Sequence, residues 1–420
     1  MARSAFTRWF YLRFLFFGCE DKGDVEPKCV QGLQFEETFH DESTDCGLDG
    51  YLEDTSAARD TLKSRLLSAG YANVPWYELE LNRTLRSTSF LLGGASTGFR
   101  WNEGDGETSC WFPQGITTPY AADVGAARAS DWVVVSWYHG NPGSVDCYTG
   151  GVIKGTRLSF VNLSENQYRH VLLVNASEDE TGFYSLVDRQ GDDSWHAGGI
   201  AWVDNFIYVA GQGLRVFDVR DIMSVDDDGS DTELGFFGDA AFAHNYDYVI
   251  PQLADYNLST LEGSPYSELG CKPYSSSFAA LDHTPEGDTQ RLLIGQWTKD
   301  EEVSSFSTWN IKADGFLETD TVEVHRIKGT YGAPLHFQGA LEYSGATFYT
   351  SNGDGSCPSV QVLRIGCSRS FKVDAFRGME DLTYNPTTDL LWTLSEWEDG
   401  RKDGRKVYAY PMSVFDGCGE

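Results

Sequence analysis

Positive charge is scarce in this chain. Its 420 residues carry 32 Lys and Arg against 63 Asp and Glu, a formal net charge of -31. Such a surface repels nucleic-acid phosphates, which argues against a nucleic-acid partner. It suits a well-solvated protein and leaves cations as welcome partners. There is no P-loop and no dinucleotide fingerprint, so phosphate cradling of those kinds is not expected. No two cysteines have CxxC spacing, which removes the common zinc arrangements. The acidic run Asp226-Asp227-Asp228-Gly229-Ser230-Asp231 lacks the spacing and terminal Glu of an EF-hand loop. Beyond the N-terminus, no stretch approaches the roughly 20 apolar residues of a membrane-spanning helix.

Aromatic residues are abundant, at 14% of the chain, as β structure favours. Residues 1–19 carry positive charges, then an apolar run, then Gly18-Cys19. This resembles a bacterial lipoprotein signal with Cys19 as the lipidated residue. An ordinary secretory signal peptide is the alternative. Either implies a secreted or envelope-attached protein, with membrane contact only through a lipid on Cys19.

Residues 20–75 read as an acidic tether, a small stapled cap and a helix. The helix is expected over Ser56 to Gly70, with Leu62, Leu66 and Leu67 on one face and Gly70 as its stop.

From residue 76 to 420 strand signals dominate, and one pattern recurs five times. A first strand opens at Gln114-Gly115-Ile116, at His196-Ala197-Gly198-Gly199-Ile200, at Ser276-Ser277-Phe278, at Gln338-Gly339-Ala340 and at Glu380-Asp381-Leu382. A second strand follows each, as in Trp132-Val133-Val134-Val135-Ser136-Trp137 and Leu391-Trp392-Thr393-Leu394-Ser395. A third follows, as in Leu214-Arg215-Val216-Phe217. Outer strands are expected at Arg169 to Asn175, Asp320 to Ile327 and Ser370 to Ala375. The N-terminal segments Trp76 to Leu81 or Thr88 to Leu92 are expected to complete the last unit. Repeats of four short strands indicate an all-β fold, a β-propeller of five blades. A sixth blade from Phe236 to Leu258, or from the N-terminal strands, is the alternative.

Without Cys19, the 9 cysteines leave an even number, which in an exported protein suggests disulfides. Propeller topology places the loops entering first strands and those joining second to third strands on one face. Cys110 with Cys147, and Cys271 with Cys357, fall there. Cys367 and Cys418 fall on the other face. A Cys357–Cys367 bond is disfavoured, because a strand between them separates them by roughly 20 to 30 Å. The expected pairs are therefore Cys29–Cys46, Cys110–Cys147, Cys271–Cys357 and Cys367–Cys418.

Several strings resemble a known family: Val135-Ser136-Trp137-Tyr138, Lys154-Gly155-Thr156-Arg157-Leu158-Ser159, Tyr168-Arg169-His170-Val171-Leu172, the His196 stretch and Glu380-Asp381-Leu382-Thr383-Tyr384. They are similar to secreted bacterial β-propeller proteins with no assigned activity. The resemblance covers about residues 110 to 415. It implies a propeller and export, and it carries over no catalytic residue.

First strands line a propeller's channel, so their opening residues form a ring at one mouth: Gln114, His196, Ser276, Gln338, Glu380 and Asp381. Second-strand ends add Gln212, Gln296, Asn352, Asp354 and Glu396, with Trp137, Trp297 and Trp397 nearby. Oxygen-rich ligands without thiols suit a hard cation such as calcium, with Glu380 and Asp381 as ligands. His196 and Glu380 are the catalytic candidates. A ring of polar residues around a narrow watered tunnel explains the same pattern without function, and tryptophans recurring at one blade position also serve blade packing. Beside a purely structural or adhesive envelope lipoprotein, two functions follow. One is a monomeric extracellular propeller binding a carbohydrate, protein or small molecule at the mouth. The other is a calcium-dependent hydrolase of an ester, lactone or phosphate there. The residues leave open whether the protein is an enzyme.

Overall fold

The computed structural model describes residues 51–88, 91, 94–119, 130–140, 147–148, 151–177, 182–188, 191, 193–226, 232–257, 276–283, 290–297, 303–318, 323–328, 337–344, 346–351, 359–364, 371–376, 378–396 and 405–415. Across these residues the chain is all-β with little helix.

Antiparallel four-stranded units follow one another. Unit one runs Trp111–Thr117, Trp132–His139, Thr156–Asn162 and Gln167–Ala176. Unit two runs Gly199–Val203, Phe206–Ala210, Leu214–Asp218 and Tyr248–Asn257. Unit three runs Phe278–Asp282, Arg291–Gly295, Val303–Asn310 and Glu323–Lys328. Unit four runs Phe337–Tyr343, Ala346–Ser351, Ser359–Arg364 and Phe371–Asp374. Unit five runs Met379–Asn385, Leu390–Ser395 and Lys406–Pro411, and takes its fourth strand from the N-terminal segment Thr97–Arg100.

The first strands neighbour one another in cyclic order, unit one to two, two to three, three to four, four to five and five back to one. Each sheet is therefore covered on both faces, which explains why its strands are apolar at consecutive positions rather than alternate ones. In unit one, Trp132 and Val134 pack towards unit two, against Ile200, Trp202 and Ile207. Val133, Val135 and Trp137 face the other way, into a core with Trp392 and Leu394 of unit five and Phe99 of the N-terminal strand. Similar cores fill the gaps between units two and three, three and four, and four and five. Burying each such large apolar side chain is worth about 1.5–3 kcal/mol.

Three sequence expectations change. The closing strand is Thr97–Arg100 rather than either expected segment; Trp76–Glu78 is a single tight turn whose Trp76 packs edge-on against Trp132 and Trp202. The segment Phe236 to Leu258 builds no blade of its own within its described residues. Tyr248–Asn257 is the outer strand of unit two, and Leu234–Phe237 with Ala240–Ala243 is a two-stranded hairpin. Tyr248–Asn257 also pairs in parallel with the outer strand of unit one, so it straps the two units together. The helix Ser56–Ser68 buries Leu62 and Leu66 against Leu172, Val174 and Met223, but Leu67 is 51% exposed. Its Arg59 and Lys63 pair with Asp221 and fix the helix to the outside of the β structure.

Candidate functional site at the inner-strand mouth

The first strands of three units carry one extra residue relative to their partners. Pro113 pairs with Trp137 but Ile116 with Val135; Phe337 pairs with Ser351 but Gly339 with Thr350; Met379 pairs with Ser395 but Leu382 with Thr393. A bulge of this kind bends a strand and re-aims its side chains. In register, the three bulges place Gln114, Gln338 and Glu380 at equivalent positions. Unit two turns its chain differently at the same end, with Ala197 at φ 52° directly after His196.

Glycines let the first strands approach one another. A Cβ on Gly115 would stand 2.6 Å from Ser136 Oγ, one on Gly199 would stand 2.6 Å from Phe278 Cα, and one on Gly339 would stand 2.7 Å from Asp381 Oδ1. The innermost strand of any sheet has an edge of backbone N–H groups that need partners. Asp381 supplies one: its Oδ2 accepts from the Ile116 N–H at 3.1 Å and the Ile200 N–H at 3.2 Å, joining units one, two and five. Burial pushes the Asp381 carboxyl well above the ordinary carboxylate range, and its hydrogen bonds from Ile116, Ile200 and Leu382 oppose that only in part. Its Oδ1 is buried without a hydrogen-bond partner.

Around this latch several polar side chains meet. Gln338 Nε2 donates to Glu380 Oε1 at 3.2 Å. Glu396 directly follows the second strand of unit five, in the register position that Tyr138 holds in unit one. The two meet, with the Tyr138 hydroxyl donating to Glu396 Oε1 at 3.4 Å. Gln114 also hydrogen-bonds Glu396. Burial pushes Glu396 up to about 7, against the opposing pull of Arg405, Tyr138 and Gln114. Burial, then Glu396, then Glu380 hold the Tyr138 phenol well above its usual range, so Tyr138 stays a neutral donor beside both carboxyls.

Planar groups line up beside these acids. Arg405 lies over the Phe112 ring at 5.2 Å, Phe112 stacks on Tyr138 at 5.2 Å, and Tyr138 stacks on His196 at 4.4 Å. His196 ends the row, exposed to solvent yet surrounded by dense protein. Desolvation lowers its pKa, with Asp193 pulling the other way. At neutral pH the row therefore ends in a flat, neutral, accessible ring.

The remaining expected residues divide. The Ser276 hydroxyl is buried and held by the carbonyls of Gly211 and Gly213. Trp137 is fully buried and donates its indole N–H to Ser159 Oγ at 2.8 Å, so it belongs to the core. Gln212 and Gln296 are half-buried, and Trp297 is 40% exposed. Asn352, Asp354 and Trp397 lie outside the described residues. So do Cys19, Cys29, Cys46, Cys271, Cys357, Cys367 and Cys418, whereas Cys110–Cys147 is a disulfide with Cα atoms 5.4 Å apart. Among the described residues, no three His, Cys, Asp or Glu side chains are grouped to hold a metal ion.

Tyr138, Phe112 and Arg405 were not expected at the site. The signal for Tyr138 was available in the repeat, since it ends a second strand as Glu396 does. Two apparent catalytic motifs prove structural. Ser159, His170 and Asp105 form a Ser–His–Asp chain, with 2.8 Å from Ser159 Oγ to His170 Nδ1 and 3.0 Å from His170 Nε2 to Asp105 Oδ2. All three are buried, and Arg157, Arg83 and Tyr168 share the Asp105 carboxylate. Burial alone would raise the Asp105 pKa, but His170, Arg157 and Arg83 hold it below the carboxylate range. Burial also lowers His170 to about 3, so at neutral pH it acts as an N–H donor and not as a cation. The string Gly94-Ala95-Ser96-Thr97-Gly98 has nucleophile-elbow spacing. It enters the closing strand, where the Ser96 N–H donates to the Ala409 carbonyl, and makes no strand-to-helix elbow.

No protein-family model and no curated protein matches the chain. Among solved structures, it is similar to a structural-genomics protein of unknown function from Bacteroides thetaiotaomicron, with 12% identity, TM-score 0.29, and 79% of this chain and 76% of that one covered. An exo-β-1,3-galactanase from Phanerochaete chrysosporium matches at 10% identity and TM-score 0.34, over 78% of this chain and 65% of the galactanase. The Dos1 propeller matches at 11% identity and TM-score 0.27, over 71% and 72%.

Proposed function

We propose that the chain is an exported five-bladed propeller, closed by Thr97–Arg100, whose inner-strand mouth binds a hydroxyl-rich saccharide. The observation that carries this reading is the planar row ending at the accessible His196 ring, whose Tyr138 hydrogen-bonds Glu396 and feels the charge of Glu380. A pyranose offers an apolar C–H face and a rim of hydroxyls. A flat ring takes the first, and carboxyl and amide groups, which accept and donate at fixed angles, take the second. The Cys110–Cys147 disulfide supports an oxidising compartment.

Equilibrium binding of the full chain to a panel of neutral oligosaccharides tests the reading. At least one should bind, and His196→Ala and Glu380→Gln should each weaken it about tenfold or more while thermal unfolding stays cooperative. A panel with no bound member, or binding indifferent to both substitutions, overturns it.

A further inference from the structure

We propose that the same mouth hydrolyses a glycosidic bond, with Glu396 as the acid and Glu380 as the base. This rests on the saccharide reading of the site. Several structural facts point from binding to cleavage. The two carboxyls come from different strands of unit five, one from the bulge of the first strand and one from just beyond the end of the second. Tyr138 feels both, and donates to one of them. Both are buried, with Glu380 3% exposed, and they differ in their partners. Glu396 meets a phenol and an amide in a pocket where it is 8% exposed, and burial pushes it up to about 7. Glu380 takes the amide hydrogen bond of Gln338. Two carboxyls in unlike environments at one mouth are what acid–base cleavage of an acetal requires.

The step balances without a further reactant. The Glu396 carboxyl gives its proton to the glycosidic oxygen. The bond from the anomeric carbon to that oxygen breaks, and its electron pair stays on the leaving oxygen. A water oxygen bonds to the anomeric carbon, and Glu380 takes the water's proton. Exchange with solvent then restores both carboxyls. One water is consumed, and nothing is oxidised or reduced. The Gln114 amide and the Tyr138 hydroxyl position the acid through its carboxyl.

The test uses the full chain with two probe sets, a panel of neutral oligosaccharides and the matching 2,4-dinitrophenyl glycosides. Wild type should release reducing ends from an oligosaccharide that it binds, with activity falling as pH rises through about 7, where Glu396 loses its proton. Glu396→Gln should cut oligosaccharide turnover by about 10²–10⁴-fold and abolish that alkaline limb. It should retain most activity on the dinitrophenyl substrate, whose leaving group needs no proton. A merely structural role for Glu396 would lose both substrates alike. Binding without turnover of any bound oligosaccharide overturns the catalytic proposal and leaves the binding reading standing. Neither binding nor turnover overturns both.

Discussion

Asp381 and Ile200 lie 181 residues apart in sequence and are joined by a 3.2 Å hydrogen bond from the Ile200 N–H to Asp381 Oδ2. The same oxygen holds the Ile116 N–H. One side chain thus closes the inner ends of three units. Because burial pushes its carboxyl well above the carboxylate range and an amide oxygen accepts the same N–H bonds, Asp381→Asn should preserve the latch within about 1 kcal/mol. Asp381→Ala should cost about 1–3 kcal/mol for each buried N–H left without a partner. Denaturant unfolding of both variants checks this. A calcium ion held by Asp381 and Glu380 predicts the reverse ranking test: Asp381→Asn would be costly, and chelation would lower the unfolding temperature of wild type only.

Gly339 tests the packing against that latch. A Cβ there would stand 2.7 Å from Asp381 Oδ1 and 2.8 Å from Asp381 Cα. Because one of those atoms is backbone, Gly339→Ala should destabilise by about 1–3 kcal/mol. An unchanged denaturation midpoint would contradict the close approach.

The Ser159–His170–Asp105 chain should matter for folding and not for function. Asp105→Ala strands the buried Arg157 guanidinium and should cost about 3–5 kcal/mol. Ser159→Ala should leave saccharide binding and turnover unchanged. Turnover lost in Ser159→Ala, with stability intact, would show that solvent and substrate reach the chain after all.

Stability should fall on both sides of a mild optimum in pH. His170 and His283 are lowered by burial to about 3 and about 4, so the stability they contribute is present above their ordinary 6.5 and lost as pH drops towards those values. Glu342 and Glu396 are raised by burial to about 7, so their contribution is present below 4.5 and lost as pH climbs through 7. Denaturant midpoints between pH 4 and 8 should show both slopes. Glu342→Gln should flatten the alkaline one, and an alkaline slope unchanged in that variant would contradict the assignment.

The repeated strand pattern made the all-β architecture legible, because each unit writes its turns and β-branched runs locally. The equivalent strand positions of Gln114, Gln338 and Glu380 were legible for the same reason, since a repeat aligns them. What the pattern could not show is which polar atoms are already spent. Ser276 has the right position, yet its hydroxyl is consumed by two carbonyls. Trp137 aligns with the mouth, but the alternation of a strand turns it into the core and leaves Tyr138 at the site. The closing strand was misplaced because Thr97–Arg100 is short and owes its state to pairing with Lys406–Pro411, more than 300 residues away, rather than to its own composition.

The most direct measurement is a crystal structure of the full chain with the oligosaccharide that it binds best. A sugar ring should lie on the His196 face, with its hydroxyls on Glu380 and Gln338 and its glycosidic oxygen within hydrogen-bond reach of Glu396. A saccharide seated elsewhere on the molecule, with the His196 face bare, would contradict that placement.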